Sequence, residues 1–155
     1  MRTGLIIITI IIVIILAVAG IFVYQQYQQR NALNDIKITV DGVKVEGVSL
    51  SSASLNFTLR ITNPSTTAAT LDRTDYTVFI NNVSLGSGQN LQKVTVPAGG
   101  SVVISQPFNV SYSGAAQGVW SYITGGGGEW RMVGTAYFDS FLGTVGVPYN
   151  ITGTL

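Results

Sequence analysis

One uninterrupted apolar segment near the N-terminus constrains this chain more than any other feature. Leu5–Val23 reads LIIITIIIVIILAVAGIFV, 19 residues without a charge, and its only polar side chain is Thr9. As a helix rising about 1.5 Å per residue it is about 28 Å long, close to the ~30 Å hydrocarbon core of a bilayer. Tyr24 and Tyr27 follow, where aromatic rings favour the headgroup level. The sequence predicts a transmembrane helix at residues 5–24 that anchors the chain in a cell membrane.

The flanks of this segment predict a short stub and a stalk. Residues 1–4 precede the helix, and the polar segment Gln25–Asn34 is expected to continue it as a stalk. A secretory signal peptide has an apolar region of only about 7–15 residues, so we expect the helix to be retained. Basic residues do not decide the orientation, because Arg2 precedes the helix while Arg30 and Lys37 follow it.

Four glycosylation sequons favour an extracytoplasmic location for the rest of the chain. Each is an Asn-x-Ser/Thr tripeptide without proline in the middle, and the asparagines are Asn56, Asn82, Asn109 and Asn150. A chain rich in Asn, Ser and Thr also generates some of these tripeptides by chance. The uncharged, polar character of this part suits the outside as well. We therefore expect the C-terminal domain to face outward and the four asparagines to be candidate glycosylation sites.

The composition excludes several classes of function. There is no cysteine and no histidine, which removes thiol nucleophiles, thiolate metal sites and the usual general base. Beyond residue 30 the chain has six basic and seven acidic residues, so it has no basic field for nucleic acid. The plentiful serines have no histidine to activate them, and no hydrolase motif surrounds them. We expect neither an enzyme nor a bound cofactor or metal.

From Asp35 onward the hydrophobic period changes to two, which is typical of half-buried strands. In Ser54–Thr62 the apolar Leu55, Phe57, Leu59 and Ile61 alternate with polar residues. Asp41-Gly42 predicts a hairpin or a bulge within the first strand, and Asn81-Asn82 predicts a turn. The predicted strands are Ile36–Val48, Ser54–Thr62, Tyr76–Val83, Leu91–Val96, Val102–Ser105, Phe108–Tyr112, Trp130–Phe138 and Thr144–Thr154. About seven strands with frequent turns predict an all-β sandwich over residues 35–155.

A glycine run and its aromatic neighbours are the best candidate for a binding surface. Gly125–Gly128 predicts a mobile loop, and Ala115–Thr124 before it has room for one helical turn. Trp120, Tyr122 and Trp130 surround this loop; exposed, they could stack on glycans or anchor a partner, and buried, they belong to the core.

Two aspartates are the other candidate site. Asp72 and Asp75 flank Arg73 in a connection between strands, and we interpret them as a surface ion pair rather than a calcium site.

The order of several turn motifs resembles a known family. Asn63-Pro64-Ser65 follows an alternating strand and precedes Tyr76–Asn82, Leu85–Gly88, Val96–Gly100, Gly134, Val145–Pro148 and Gly153. This order resembles the water-stress and hypersensitive-response domain of type-2 late-embryogenesis-abundant proteins, over about residues 36–155. The resemblance implies an immunoglobulin- or fibronectin-III-like sandwich, often tethered by one N-terminal helix, with archaeal members and a link to stress tolerance. It implies no catalytic residues. Asn-Pro-Ser stands where the family often has Asn-Pro-Asn.

Two functions are compatible with these features. The first is a membrane-tethered module that binds envelope proteins or glycans, or has a structural or stress-protective role. The second is a pilin-like subunit that self-assembles into a filament with the apolar helix in the filament core. Pilins are normally cleaved after a basic residue followed by Gly or Ala. Here Thr3 separates Arg2 from Gly4, which weakens that match.

Overall fold

The computed structural model describes residues 2–49, 51–111, 125, 127–140 and 143–155, without the side chains of 2–7, 29 and 30. In this part of the chain one long helix precedes eight strands. The elements are α1 (Arg2–Asn34), β1 (Lys37–Val48), β2 (Ser52–Thr62), β3 (Ala69–Ile80), β4 (Val83–Asn90), β5 (Val94–Val96), β6 (Ser101–Ser111), β7 (Glu129–Ser140) and β8 (Gly143–Thr154).

The strands form two antiparallel sheets. The smaller sheet has the order β1-β2-β6, and the larger has the order β4-β3-β7-β8, with β5 paired to one end of β3. Inward-facing side chains of both sheets enclose a single hydrophobic core. The predicted β-sandwich is therefore confirmed as two antiparallel sheets preceded by one N-terminal helix.

The alternation in β2 has the expected physical basis. Leu55, Phe57 and Leu59 are fully buried or nearly so, whereas Asn56 and Thr58 between them are partly exposed. Successive side chains of a strand point to opposite faces, so one face of β2 enters the core and the other meets solvent. Burying a Leu or Phe side chain contributes about 1.5–3 kcal/mol each, which fixes the register of this central strand.

Asp41-Gly42 is a bulge and not a hairpin. The register of β1 against β2 shifts between Val40 and Gly42 and again between Val45 and Gly47. A bulge adds one residue to one strand and increases its local twist. Because β1 is an edge strand, these two bulges and its charged residues make the edge a poor template for further pairing.

Several predicted strand limits are wrong, and β3 is among them because it begins at Ala69 instead of Tyr76. β6 runs unbroken through Pro107, which was expected to separate two strands. β6 is an edge strand that pairs only with β2, and an edge position tolerates a residue without an N–H. The segment Val83–Asn90 is strand β4, where a turn was expected at Leu85 and its neighbours. Conversely, β5 is limited to Val94–Val96 instead of starting at Leu91.

The Asn81-Asn82 turn between β3 and β4 is confirmed. Both residues have positive φ, 47° and 65°, which is the requirement of a type I′ hairpin turn. Asparagine tolerates this conformation better than most residues because its short amide bonds locally. The turn is also bonded to β7, the neighbouring strand in the sheet, because the backbone N–H of Glu129 donates to Asn81 Oδ1 at 3.0 Å.

Glycines and aromatic rings alternate across the inner face of the larger sheet. Gly88, Tyr76, Gly134 and Tyr149 are register neighbours on β4, β3, β7 and β8. A Cβ on Gly88 would lie 2.6 Å from the Tyr76 ring, and one on Gly134 would lie 2.6 Å from the Tyr149 ring. The glycines therefore leave the space into which the two rings fold.

The C-terminal end of α1 is packed against the sandwich. Leu33 and Ile36 are each 6% exposed and belong to the hydrophobic core, which joins the stalk to the β-domain. By contrast, the described apolar side chains from Ile8 to Val23 are all exposed. By length and composition this helix is suited to cross a membrane, and a membrane anchor and a signal sequence satisfy the same criterion.

Candidate functional site

The buried amide of Asn63 organises the loop after β2. Asn63 is 0% exposed, and its Nδ2 donates to the carbonyl oxygens of Thr67, at 2.8 Å, and Val96, at 3.3 Å. Its Oδ1 accepts from the N–H of Ser65, at 3.1 Å, and from Ser65 Oγ, at 2.7 Å. Pro64 cannot continue the ladder, so the loop depends on this side chain for its hydrogen bonds.

The same loop is joined to the turn before β6. The N–H of Asn63 donates to the carbonyl of Gly100 at 2.9 Å, and the N–H of Gly99 donates to the carbonyl of Ser65 at 2.9 Å. Gly99 has φ 65°, a conformation that favours glycine. The Asn-Pro-Ser and Pro-Ala-Gly-Gly motifs are thus two halves of one hydrogen-bonded corner.

A groove lies between this corner and the stalk. Its volume is about 500 Å³. The stalk and its two flanking residues contribute Tyr24, Gln25, Gln28, Asn31, Ala32 and Asp35. The loop contributes Pro64, Ser65, Thr66 and Thr67. We refer to it as the junction groove. Its walls are held in place on one side by the Asn63 hydrogen bonds and on the other by the buried Leu33 and Ile36.

The chemistry of the junction groove is neutral and hydrogen-bonding. Amides and hydroxyls dominate its lining, and Asp35 is the one charged residue among the described lining residues. Tyr24 Oη accepts a hydrogen bond from Gln28 Nε2 at 2.9 Å, which joins two lining side chains of the helix. None of these residues was predicted from the sequence to form a site. The available signal was the spacing of Tyr24, Gln28, Asn31 and Asp35, which repeats every three to four residues along one helix face.

A second group of polar side chains lies between the sheets. Thr74 and Gln106 are almost completely buried, and Thr74 Oγ1 donates to Gln106 Oε1 at 3.2 Å. Tyr76 Oη donates to the carbonyl of Pro107 at 2.9 Å. Burial raises the pKa of Tyr149 well above the usual range of a phenol, and the nearby Tyr76 adds to this. The hydrogen bonds of Thr74 and Tyr76 thus connect the larger sheet to β6.

The candidate glycosylation sites differ in accessibility. Asn82, Asn109 and Asn150 are exposed. Asn56 is half-buried, and both ends of its amide are engaged: Nδ2 donates to Glu46 Oε1 at 2.8 Å, and Oδ1 accepts from Ser105 Oγ at 2.7 Å. A glycan on Asn56 would replace one Nδ2 hydrogen of a half-buried amide that is already hydrogen-bonded at both ends, so the four sites are not equivalent.

The aromatic surface predicted around the glycine run is only partly described. Trp130 is 5% exposed; its ring packs edge-on against Phe57 at 5.6 Å, and its Nε1 donates to the carbonyl of Thr154 at 3.3 Å. The expectation that Trp130 forms part of a binding surface is therefore corrected: it is a core residue, because Gly153 beside it leaves room for the indole. Trp120 and Tyr122 lie outside the described residues.

Asp72 and Asp75 lie within β3 and not in a connection between strands, and they belong to a network of surface ion pairs. Arg73 lies 3.5 Å from Asp72 and 3.8 Å from Asp75, and Lys93 lies 2.7 Å from Asp139. Arg73 also packs over the Tyr137 ring at 4.1 Å. Within the described residues no acidic or histidine cluster suited to a metal ion occurs. Each of these carboxylates therefore has a cationic partner at the surface.

The sequence matches the family model of the late embryogenesis abundant protein (LEA_2) over residues 58–153. This segment covers β3 to β8 and the end of β2. No curated protein matches the chain.

Solved structures share the fold at low sequence identity. A solution structure of an Arabidopsis thaliana protein has a TM-score of 0.64 at 16% identity, covering 76% of this chain and 79% of its own. Another solution structure, of a protein assigned to the late embryogenesis abundant group, has a TM-score of 0.60 at 16% identity and covers 92% and 86%. A crystal structure from Archaeoglobus fulgidus has a TM-score of 0.54 at 14% identity and covers 76% and 96%.

The fold and the family match define a two-sheet β-domain of the late embryogenesis abundant class. The chain belongs to the LEA_2 family. This family is generally non-enzymatic and associated with stress.

Proposed function

We propose that this chain is a membrane-tethered β-sandwich module with a non-catalytic binding, envelope-structural or stress-protective role. The observation that carries the proposal is the contrast within α1. Its apolar part from Ile8 to Val23 is exposed, while its end at Leu33 is buried in the β-domain. An exposed apolar helix of this length has a large hydrophobic driving force to enter a bilayer.

The proposal places the sandwich directly above the membrane. The stalk beyond Val23 is helical through Asn34, and its last turn is fixed to the core by Leu33 and Ile36. Such a connection transmits the position of the helix to the domain, in contrast to a flexible linker. Membership of the LEA_2 family favours this tethered module over the filament subunit.

The finer classification and the orientation are part of the proposal. We assign the domain to the water-stress and hypersensitive-response type with an immunoglobulin- or fibronectin-III-like sandwich, on the Asn-Pro-Ser corner and the two-sheet arrangement. We assign it to the extracytoplasmic side, and exposed Asn82, Asn109 and Asn150 would then be available for glycans. Envelope proteins or glycans are the expected partners, and Trp120 and Tyr122 remain candidate contacts.

Alkaline carbonate extraction of membranes that contain the full-length protein tests the anchor. We expect the wild-type chain to remain in the pellet and to require detergent for release. A double variant, Ile12→Arg with Leu16→Arg, should be released or degraded, because each arginine at the membrane centre costs about 2.5–3.5 kcal/mol.

A matched control carries the same charges on the β-domain. Leu91 and Val103 are exposed apolar residues, 71% and 52% exposed, so Leu91→Arg with Val103→Arg should remain in the pellet like the wild type. Release of the wild-type chain by carbonate alone would contradict the membrane anchor.

A further inference from the structure

We infer that the junction groove binds the neutral, hydroxyl-rich headgroup of a membrane lipid, such as a glycolipid. The inference rests on the proposed membrane anchor and adds a ligand class to it. Three observations carry it: the height of the groove above the apolar segment, the charge of its lining, and its rigid walls.

The height of the groove matches the headgroup layer and the space just above it. A bilayer of about 40–45 Å with a ~30 Å hydrocarbon core leaves roughly 5–8 Å for headgroups on each side. At about 1.5 Å per residue, Gln28 lies about 8 Å beyond Val23, and Asp35 lies about 18 Å beyond it. Tyr24 and Gln28 are therefore level with the headgroups. The upper lining, with Asn31 and the loop at Ser65, lies above them, within reach of a headgroup that extends outward.

The charge of the groove selects against phosphate-type headgroups. Asp35 is the one ionisable carboxylate among the described lining residues, and none of these residues is a lysine or arginine. An anionic headgroup would meet a like charge without a compensating cation. Side-chain amides and hydroxyls both donate and accept hydrogen bonds, so they suit a ligand whose hydroxyls do the same. Tyr24, 64% exposed, offers a ring face for the apolar side of a sugar.

The walls are ordered before any ligand is present. The loop wall is held by the four hydrogen bonds of Asn63, and the helix wall is joined to the core by buried Leu33. A rigid site loses little conformational freedom on binding, which favours affinity for a small headgroup. The volume of about 500 Å³ is within the ordinary range of small-molecule sites.

Native mass spectrometry of the full-length protein in phosphatidylcholine nanodiscs tests this inference. The nanodiscs contain a minor fraction of digalactosyldiacylglycerol or, in a parallel sample, the same fraction of phosphatidylglycerol. We expect the protein to retain the digalactosyl lipid in preference to the anionic one. Equal retention of the two lipids, or preference for phosphatidylglycerol, would overturn the proposed headgroup class.

Two neighbouring tyrosines provide a matched pair of variants. Tyr24 lines the groove, whereas Tyr27 is equally exposed, at 67%, and is not among the lining residues. Tyr24→Ala and Gln28→Leu should each weaken glycolipid retention about fivefold, the effect of one lost contact or hydrogen bond. Tyr27→Ala should leave it unchanged. Equal losses from Tyr24→Ala and Tyr27→Ala would show that interfacial anchoring, and not the groove, holds the lipid.

Two further arms separate the remaining alternatives. Asp35→Asn should increase retention of phosphatidylglycerol, because it removes the repelling carboxylate; no change would contradict the charge argument. Soluble galactosylglycerol, offered to nanodiscs without glycolipid, should bind at least tenfold more weakly than the lipid, and equal binding would overturn the lipid source. Insertion into nanodiscs is monitored separately, so failure of the anchor is distinguishable from failure of the groove.

Discussion

Substitution of Asn63 by alanine should destabilise the β-domain more than its place in a loop would suggest. The change removes two hydrogen bonds donated by Nδ2, to Thr67 and Val96, and two accepted by Oδ1, both from Ser65. Val96 is 0% exposed, so its carbonyl loses this partner in a buried environment, whereas the groups of Ser65 and Thr67 can rebind water. One buried unsatisfied group costs about 1–3 kcal/mol, and each remaining bond contributes about 0.5–1.5 kcal/mol.

We therefore expect Asn63→Ala to lower the free energy of unfolding by at least about 2.5 kcal/mol, the lower end of this sum, which corresponds to a fall in Tm of roughly 10 °C. The assay is thermal and urea unfolding of the full-length protein in detergent, followed by circular dichroism. Ser65→Ala is the control, since it loses only hydroxyl bonds at the partly exposed end of the same network and should cost less than half as much. A loss below about 0.5 kcal/mol for Asn63→Ala would refute the view that its amide holds the corner together.

The remaining predictions concern the core and the surface. Gly134→Ala should destabilise the domain by about 1–3 kcal/mol in urea unfolding, because the added Cβ meets the backbone carbonyl of Asp75 and the Tyr149 ring. Gly47→Ala is the control, since a Cβ there meets nothing within 4 Å. Equal effects of the two substitutions would contradict the packing of Tyr149 against glycine. The free energy of unfolding should fall as pH rises above about 10. The reason is that the unfolded state loses the Tyr149 proton, while the raised pKa keeps this proton on the folded state. The expected slope for this group is about 1.4 kcal/mol per pH unit. Tyr149→Phe should reduce this slope in urea titrations between pH 9 and 11, and an unchanged slope would rule Tyr149 out as its source. Asp41→Asn removes the 2.6 Å ion pair with Arg60. It should leave the urea midpoint unchanged, because both side chains are substantially exposed. A clearly lower midpoint would mean that the β1 bulge depends on this ion pair.

The elements that could be predicted from sequence are those whose own residues determine them. β2 alternates strictly because one of its faces is in the core, and Asn81-Asn82 is a turn because both residues accept positive φ. The apolar helix and its polar continuation follow from composition alone.

The elements that were missed depend on neighbours distant in sequence. β4 contains Gly86 and Gly88, which weaken strand propensity, and it is a strand because the Tyr76 ring occupies the space above Gly88. Pro107 does not break β6 because β6 is an edge strand, and no strand beyond it requires the N–H that proline lacks. Local strand propensity predicts neither the packing of Tyr76 over Gly88 nor the edge position of β6, since both arise only when the sheets have assembled.

The candidate site was hidden for a related reason. The Asn-Pro-Ser and Pro-Ala-Gly-Gly motifs could each be recognised as turns, but their mutual hydrogen bonds require β2 and β6 to be paired. The junction groove requires in addition that Leu33 packs against the β-domain. The polar sequence of the stalk does not predict this tertiary contact.

The intact mass of the protein extracted by detergent from its native membrane tests the central claim most directly. A membrane-tethered module retains α1, so we expect a mass that corresponds to the full chain, with glycan increments if the domain faces outward. A mature chain that begins at or beyond the apolar segment would contradict this account. It would identify α1 as a cleaved leader or as a processed filament segment.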